Sequence, residues 1–271
     1  MNLPTIDQRS NLSEWFRYRE LSGDEVRSYA EHGYLIYGAA LTDAGLERMR
    51  QECMREWNAE KGEFDPQGSW LENALLANIH HKSSLVRQYY FAGPIVDVAT
   101  QVIGPNIKAA TSQLTFKMRC NTQTFAWHQD NAYGELDPYN AISCLTALDD
   151  TDRQNGCLWL IPGSHRGGQY VDERTEDEKA NRVAIELDVD VRLAVPMELH
   201  AGDCLFFHCH MLHKSDGNLS SDRDRRILFM RYADADAVEV YQNRQPRLGR
   251  LLRGTTQFSA VRDYESELPL V

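Results

Sequence analysis

At 271 residues, 42% of them hydrophobic, the chain is long enough to bury a full core as one large domain or two small ones. The 40 Asp and Glu against 29 Lys and Arg leave a formal net charge of -11, the wrong sign for gripping a phosphate backbone or an anionic lipid surface, so neither nucleic acid nor a membrane is expected as a partner. With no run of about 18 apolar residues and no basic segment followed by an apolar one in MNLPTIDQRSNLSEW, a soluble, unexported, cytoplasmic protein is expected, and monomer and homodimer stay equally open. The six cysteines, Cys53, Cys120, Cys144, Cys157, Cys204 and Cys209, form no C-x-x-C pair. That excludes a zinc knuckle and a dithiol redox motif, and leaves mostly reduced, buried small hydrophobes.

Over the first hundred residues the pattern is helical. Ser22 stands three residues before Glu25, capping-box spacing, and Gly33 marks the stop of that helix ahead of the short apolar run YLIYG. A second helix is expected from Thr42, with Leu46, Met49, Cys53 and Trp57 on one face and Gly62 as its stop. A third is expected over residues 94–102, where Pro94 suits the first turn. His80 and His81, in NIHHKS between the second and third helices, are expected at the surface of a loop, with a substrate contact as the lesser reading.

From about Ala109 the period changes to two. TSQLTFKMR, NAISCLTAL, GCLWLIPGS, VRLAVPMEL, GDCLFFHCHML and RRILFMRYAD are short apolar or alternating runs separated by Asn-Gly, Pro-Gly and Ala-Gly turns. This is the signature of an antiparallel sandwich or barrel. The acidic segment of residues 171–190 reads as a solvated loop, with a lid over a site as the lesser reading. One domain is expected, mainly β with flanking helices: a helical buttress over about 1–108, a β core over about 109–235 and a C-terminal extension over 236–271.

Within FAWHQDNAYG, His128 and Asp130 stand two apart, and if TFAWHQD ends a strand they point to one face. Alone the spacing is weak, since nine histidines and 40 acids among 271 residues produce on the order of one such pair by chance. One nitrogen and one carboxylate oxygen make two thirds of a facial metal triad, which needs one further histidine. His200, His208, His210 and His213 are candidates. On a continued strand LFFHCHML, His208 and His210 share one face and His213 the other, and the first two then read as strand histidines bonded to neighbouring groups. The surroundings favour His213, because a polar turn after it leads into a strand carrying Arg225 and Arg226, and a guanidinium one strand from a metal offers a planar fork to the far carboxylate of an organic acid. Trp127 and Tyr133 flank the pair as candidate pocket residues or as core. His165, in PGSH, needs no chemical role.

SQLTFK, WHQDNAYG, NGCLWLIPGSH and AGDCLFFHCHMLHKSDGNLSSDRDRR, taken together over about Gln113 to Tyr232, resemble the phytanoyl-CoA dioxygenase family of iron(II) and 2-oxoglutarate dependent oxygenases. The resemblance implies a double-stranded β-helix, or jelly-roll barrel, with Fe(II) as metal and 2-oxoglutarate and dioxygen as cosubstrates. It implies His128, Asp130 and His213 as iron ligands, Ser215 and an arginine as anchors of the 2-oxoglutarate distal carboxylate, and Gln113 near the cosubstrate. Members of that family usually place the arginine eleven residues after the distal histidine, a position held here by Asp224. Counting back from Tyr232 picks Arg225, with Arg226 as the alternative. The activity implied is hydroxylation of a small metabolite with release of succinate and carbon dioxide, or a related desaturation, epoxidation or ring closure. A non-oxygenase reading, a cupin-like isomerase or metal-binding protein, has little use for such an arginine.

Overall fold

The computed structural model describes residues 12–63, 65, 67–130, 136–168, 190–240 and 243–270. Its first helix, α1 (Gly23–His32), opens on Ser22, whose hydroxyl accepts the Glu25 N–H at 3.2 Å while the Glu25 carboxylate accepts the Ser22 N–H at 2.8 Å. Gly33 ends it at φ 79°, and a Cβ built there would lie 2.3 Å from His165 Nδ1, so neither the conformation nor the space admits another residue. After β1 (Tyr34–Ala39), α2 (Asp43–Glu60) starts on Thr42 and buries Met49, Cys53 and Trp57 along the stripe read from the sequence, with Leu46 partly buried beside them. Then come α3 (Trp70–Ala74), β2 (Leu75–Ala77), α4 (Ile79–Lys82), α5 (Ser84–Ala92) and α6 (Pro94–Ile103), the last beginning on its proline.

The strands that follow are β3 (Ile107–Lys117), β4 (Phe125–His128), β5 (Leu136–Asp137), β6 (Ile142–Ala147), β7 (Leu158–Leu160), β8 (Val195–Met197), β9 (Asp203–His208), β10 (His213–Ser215) and β11 (Arg225–Asp234). Short β12 (Val238–Glu239), β13 (Gln245–Pro246) and β14 (Leu251–Arg253), then α7 (Ser259–Asp263), complete the described order. The larger sheet runs β1-β9-β6-β11-β3-β14, with β2 also on β3, and the smaller runs β4-β10-β7-β8. Strands β3, β6, β9 and β11 lie in one sheet and β4, β7, β8 and β10 in the other, all pairings antiparallel: a jelly roll. The segment limits expected from the sequence are crossed, because β1 and β2 from the front and β14 from the tail extend the larger sheet; an edge strand supplies unpaired backbone groups that these short segments satisfy.

Register fixes which residues look into the barrel. Arg225 pairs with Lys117, Phe229 with Gln113 and Leu145, and Arg231 with Ser143. Alternation therefore sets Lys117, Gln113, Ser143, Arg225 and Arg231 on the barrel side together with Ile227, Phe229, Leu145, Leu205 and Phe207. Leu114, Cys144, Phe206, Leu228 and Met230 take the opposite side and join the helices in the main core with Trp57, Val86, Tyr89 and Ile95. All six cysteines are free thiols, five of them buried. Among the described residues no helix is long and apolar enough to cross a membrane.

Candidate active site

Strand pairing builds the centre of the site. β4 ends on His128 and β10 begins on His213; the two are register partners, with ring centroids 4.0 Å apart. Asp130 lies beyond the end of β4, so the alternation assumed from the sequence is not what aims it. A turn does so, with the Asp130 N–H donating to the Cys209 carbonyl at 3.1 Å. One ligand atom from each of His128, Asp130 and His213 lies within 4.8 Å of the others.

The imidazoles are held by their far nitrogens. His128 Nδ1 is 2.8 Å from the Ala126 carbonyl and His213 Nδ1 is 2.9 Å from the Met211 carbonyl. A carbonyl can only accept, so each Nδ1 carries the hydrogen and each Nε2 is left with a lone pair for a metal. Burial, then the neighbouring His213, pushes His128 down to about 3, which keeps it neutral as a ligand must be. Phe125 and Phe207 wall the two rings at 4.2 and 4.8 Å.

Asp130 is tied on both oxygens. Oδ1 meets Arg231 Nη2 at 2.8 Å and lies 3.5 Å from His213 Nε2, while Oδ2 accepts the Ser143 hydroxyl. Burial opposes its ionisation, but Arg231 and the two histidines outweigh burial and hold the carboxyl far below the usual range. Two buried imidazoles and an ionised, largely covered carboxylate fit a facial triad for iron(II).

Deeper along β11 lies Arg225, buried, with no partner for its Nε among the described residues; burial lowers it to about 10, so it remains a cation at neutral pH. Arg226, one residue on, faces the helices and is consumed by Asp149, with Nη2–Oδ1 at 2.6 Å and Nε–Oδ2 at 2.8 Å. Ser215, across the barrel, accepts a hydrogen bond from Lys117 Nζ on its hydroxyl oxygen at 2.8 Å, and the same nitrogen donates to the Ser215 and Asp216 carbonyls at 3.3 and 2.5 Å. Burial, then Arg225, holds Lys117 well below the ordinary lysine range. Gln113 shares this inner face, partly buried.

Several expectations change. Trp127 lies on the side of Lys214, whose Nζ is 5.8 Å from its ring, while a bulge in the pairing of β4 with β10 turns Phe125 toward the His128 ring. Tyr133 and residues 171–189 lie outside the described residues. His208 ends β9 and His210 sits in the turn beyond, so the continuous strand assumed for 205–212 breaks there; His210 stacks on Tyr139 at 3.5 Å instead. His200 is solvent-exposed. His80 and His81 are on helix α4 and His80 is buried, not in an exposed loop. Lys117, Ser143 and Arg231 were not singled out from the sequence, although alternation from Arg225 along β11 leads to Arg231 and pairing then leads to Lys117 and Ser143.

A jelly roll with two histidines and a carboxylate converging inside its barrel defines the class of non-haem iron oxygenases. The comparisons narrow it: the sequence model of phytanoyl-CoA dioxygenase (PhyH) matches residues 29–227, and the chain belongs to that family. The peroxisomal phytanoyl-CoA dioxygenase of Bos taurus is 28% identical over 238 residues, 80% of this chain and 69% of that one. An ectoine dioxygenase of Bordetella parapertussis is 25% identical over 225 residues, 74% of this chain and 71% of its own. Among solved structures, the non-heme monooxygenase ThoJ in its apo form superposes with a TM-score of 0.68 at 26% identity, covering 86% of this chain and 84% of its own. The protein is thus a non-haem iron, 2-oxoglutarate-dependent dioxygenase, an enzyme of small-molecule chemistry.

Proposed function

We propose that the enzyme hydroxylates an unactivated C–H bond of a small metabolite. In this reading His128, Asp130 and His213 hold iron(II), Arg225 and Ser215 receive the distal carboxylate of 2-oxoglutarate, and Gln113 borders the cosubstrate. The observation that carries it is Arg225. A buried guanidinium without a carboxylate beside it is costly to keep, and this one stands on the same inner face as the residues around the triad while its neighbour Arg226 is fully paired. A bound dicarboxylic acid supplies the missing partner.

With iron bound, 2-oxoglutarate and dioxygen supply an oxidative decarboxylation to succinate and carbon dioxide, one oxygen atom entering succinate and the other the substrate. The chain's own part is placement. Its Nδ1–carbonyl bonds aim both imidazoles, Arg231 and Ser143 fix the carboxylate, and Phe125 and Phe207 keep the rings dry. Halogenation needs a coordination position vacated by the carboxylate. Asp130 is present and held on both oxygens, which favours hydroxylation.

The test is a metabolite library incubated with the iron-loaded enzyme, 2-oxoglutarate and oxygen-18 gas. Succinate should form only in wells holding a substrate, and the product should gain one labelled oxygen atom. Substrate consumed without succinate, or a product with no added oxygen, rules the reading out.

A further inference from the structure

The described residues hold a second convergence of metal-binding side chains, on the opposite face of the larger sheet. His80 and His81 are consecutive on α4, their ring centroids 4.1 Å apart, and both turn Nε2 toward one carboxylate. That carboxylate is Glu265, which follows α7 in the C-terminal segment: His81 Nε2 lies 2.7 Å from Oε1 and His80 Nε2 lies 3.4 Å from Oε2. One donor atom from each residue lies within 4.8 Å of the other two. From this geometry we infer that His80, His81 and Glu265 form a second divalent-metal site, of the zinc(II) type, that fastens the C-terminal segment to α4.

Three features favour a site over a simple hydrogen-bonded clasp. His80 is oriented from behind as metal-ligating histidines are, its Nδ1 2.5 Å from the Ser112 hydroxyl on β3. Glu265 holds φ at 49°, the left-handed region that a residue with a side chain seldom occupies, and that backbone presents its carboxylate to both rings. The donor set is also selective. Two imidazole nitrogens and one carboxylate oxygen suit a tetrahedral zinc ion with one water, whereas calcium and magnesium require six or more oxygens or a large retained water shell. Arg250 lines the adjoining hollow and Arg87 touches the His80 carbonyl, so the cation depends on the Glu265 charge and the two nitrogens together. Ser112 faces the helices and its neighbour Gln113 faces the barrel, so the thickness of the sheet separates this site from the iron centre.

Equilibrium dialysis of metal-stripped full-length protein against zinc chloride tests this by difference, whatever the iron triad itself retains. Wild type should hold one more equivalent of zinc than either His81→Ala or Glu265→Gln. The first removes a half-exposed ring, and the second keeps the side chain's size and a hydrogen bond. Zinc should also raise the Tm of a His128→Ala/Asp130→Ala protein and lose that effect when His81→Ala is added. Equal stoichiometry in wild type and both single variants overturns the inference. So does a Tm response to zinc that survives removal of His81, or one already absent from the folded His128→Ala/Asp130→Ala protein.

Discussion

The helix-facing side of the larger sheet buries Leu114, Cys144, Leu228 and Met230 against helices, whereas the barrel-facing side, made of alternate residues on the same strands, is apolar only in its middle. Ile227 and Phe229 occupy that middle on β11, with Arg225 at one end and Arg231 at the other. The three arginines of this strand separate by pairing rather than by burial. Arg226, toward the helices, is closed by Asp149; Arg231, in the barrel, is closed by Asp130; Arg225, in the barrel, closes on nothing among the described residues. A paired buried charge is accounted for by the fold, and an unpartnered one points to a ligand.

The largest break in that contrast comes from Asp130→Ala. On the proposed reading it removes an iron ligand, and it strands Arg231 in the barrel, so two losses are expected together. Iron retention and succinate formation should fall by more than about a hundredfold, since losing merely an outer partner of a metal ligand costs about ten- to a hundredfold. Stability should drop by about 3–5 kcal/mol, as when one member of a buried pair is removed. Metal analysis, a succinate assay and urea denaturation read the three quantities. Retained iron with full turnover would remove Asp130 from the centre.

Next in size is the exchange of roles between adjacent arginines. A charge-assisted bond to a carboxylate contributes about 1.5–3 kcal/mol, so Arg225→Ala should raise the KM for 2-oxoglutarate by roughly ten- to a hundredfold while leaving iron content alone. Arg226→Ala should do the reverse, leaving that KM unchanged and costing about 1.5–3 kcal/mol of stability through the loss of its bonds to Asp149. If Arg226→Ala shifts the KM and Arg225→Ala does not, the anchor has been assigned to the wrong face.

The sequence made this pair legible as alternatives, because successive strand residues face opposite ways; it could not say which face was inward without the register of β11 against β3 and β6. The capping boxes, the α2 stripe and the period-two strands were likewise readable, being local. His128 and His213 stood out through motif order, yet their contact is a pairing across 85 residues that no local rule contains. Two parity arguments failed for one physical reason. Strands β4 and β9 are shorter than their apolar runs, and once the chain turns, at Asp130 or at Cys209, alternation stops applying. His80 was misplaced because four residues of helix carry too little periodicity to register, and two of the groups that meet its ring nitrogens, Ser112 and Glu265, lie 32 and 185 positions away.

The smallest effect sharpens the contrast most, because it concerns a barrel-facing amine that is already bonded. Lys117 Nζ donates to the Ser215 hydroxyl oxygen at 2.8 Å, which leaves that hydroxyl's own hydrogen free for the carboxylate that the proposed function assigns to Arg225. On that proposal Lys117 would act through Ser215, as a positioning residue. Lys117→Met should raise the KM for 2-oxoglutarate by about three- to tenfold, the equivalent of one ordinary hydrogen bond, with kcat unchanged and no loss of fold, since burial already disfavours the charge it removes. Ser215→Ala should give a similar shift. The double variant decides the route: if Lys117 works through Ser215, the two effects overlap and the pair is no worse than either alone, whereas multiplied effects would mean that Lys117 reaches the cosubstrate directly and belongs beside Arg225 as a second anchor.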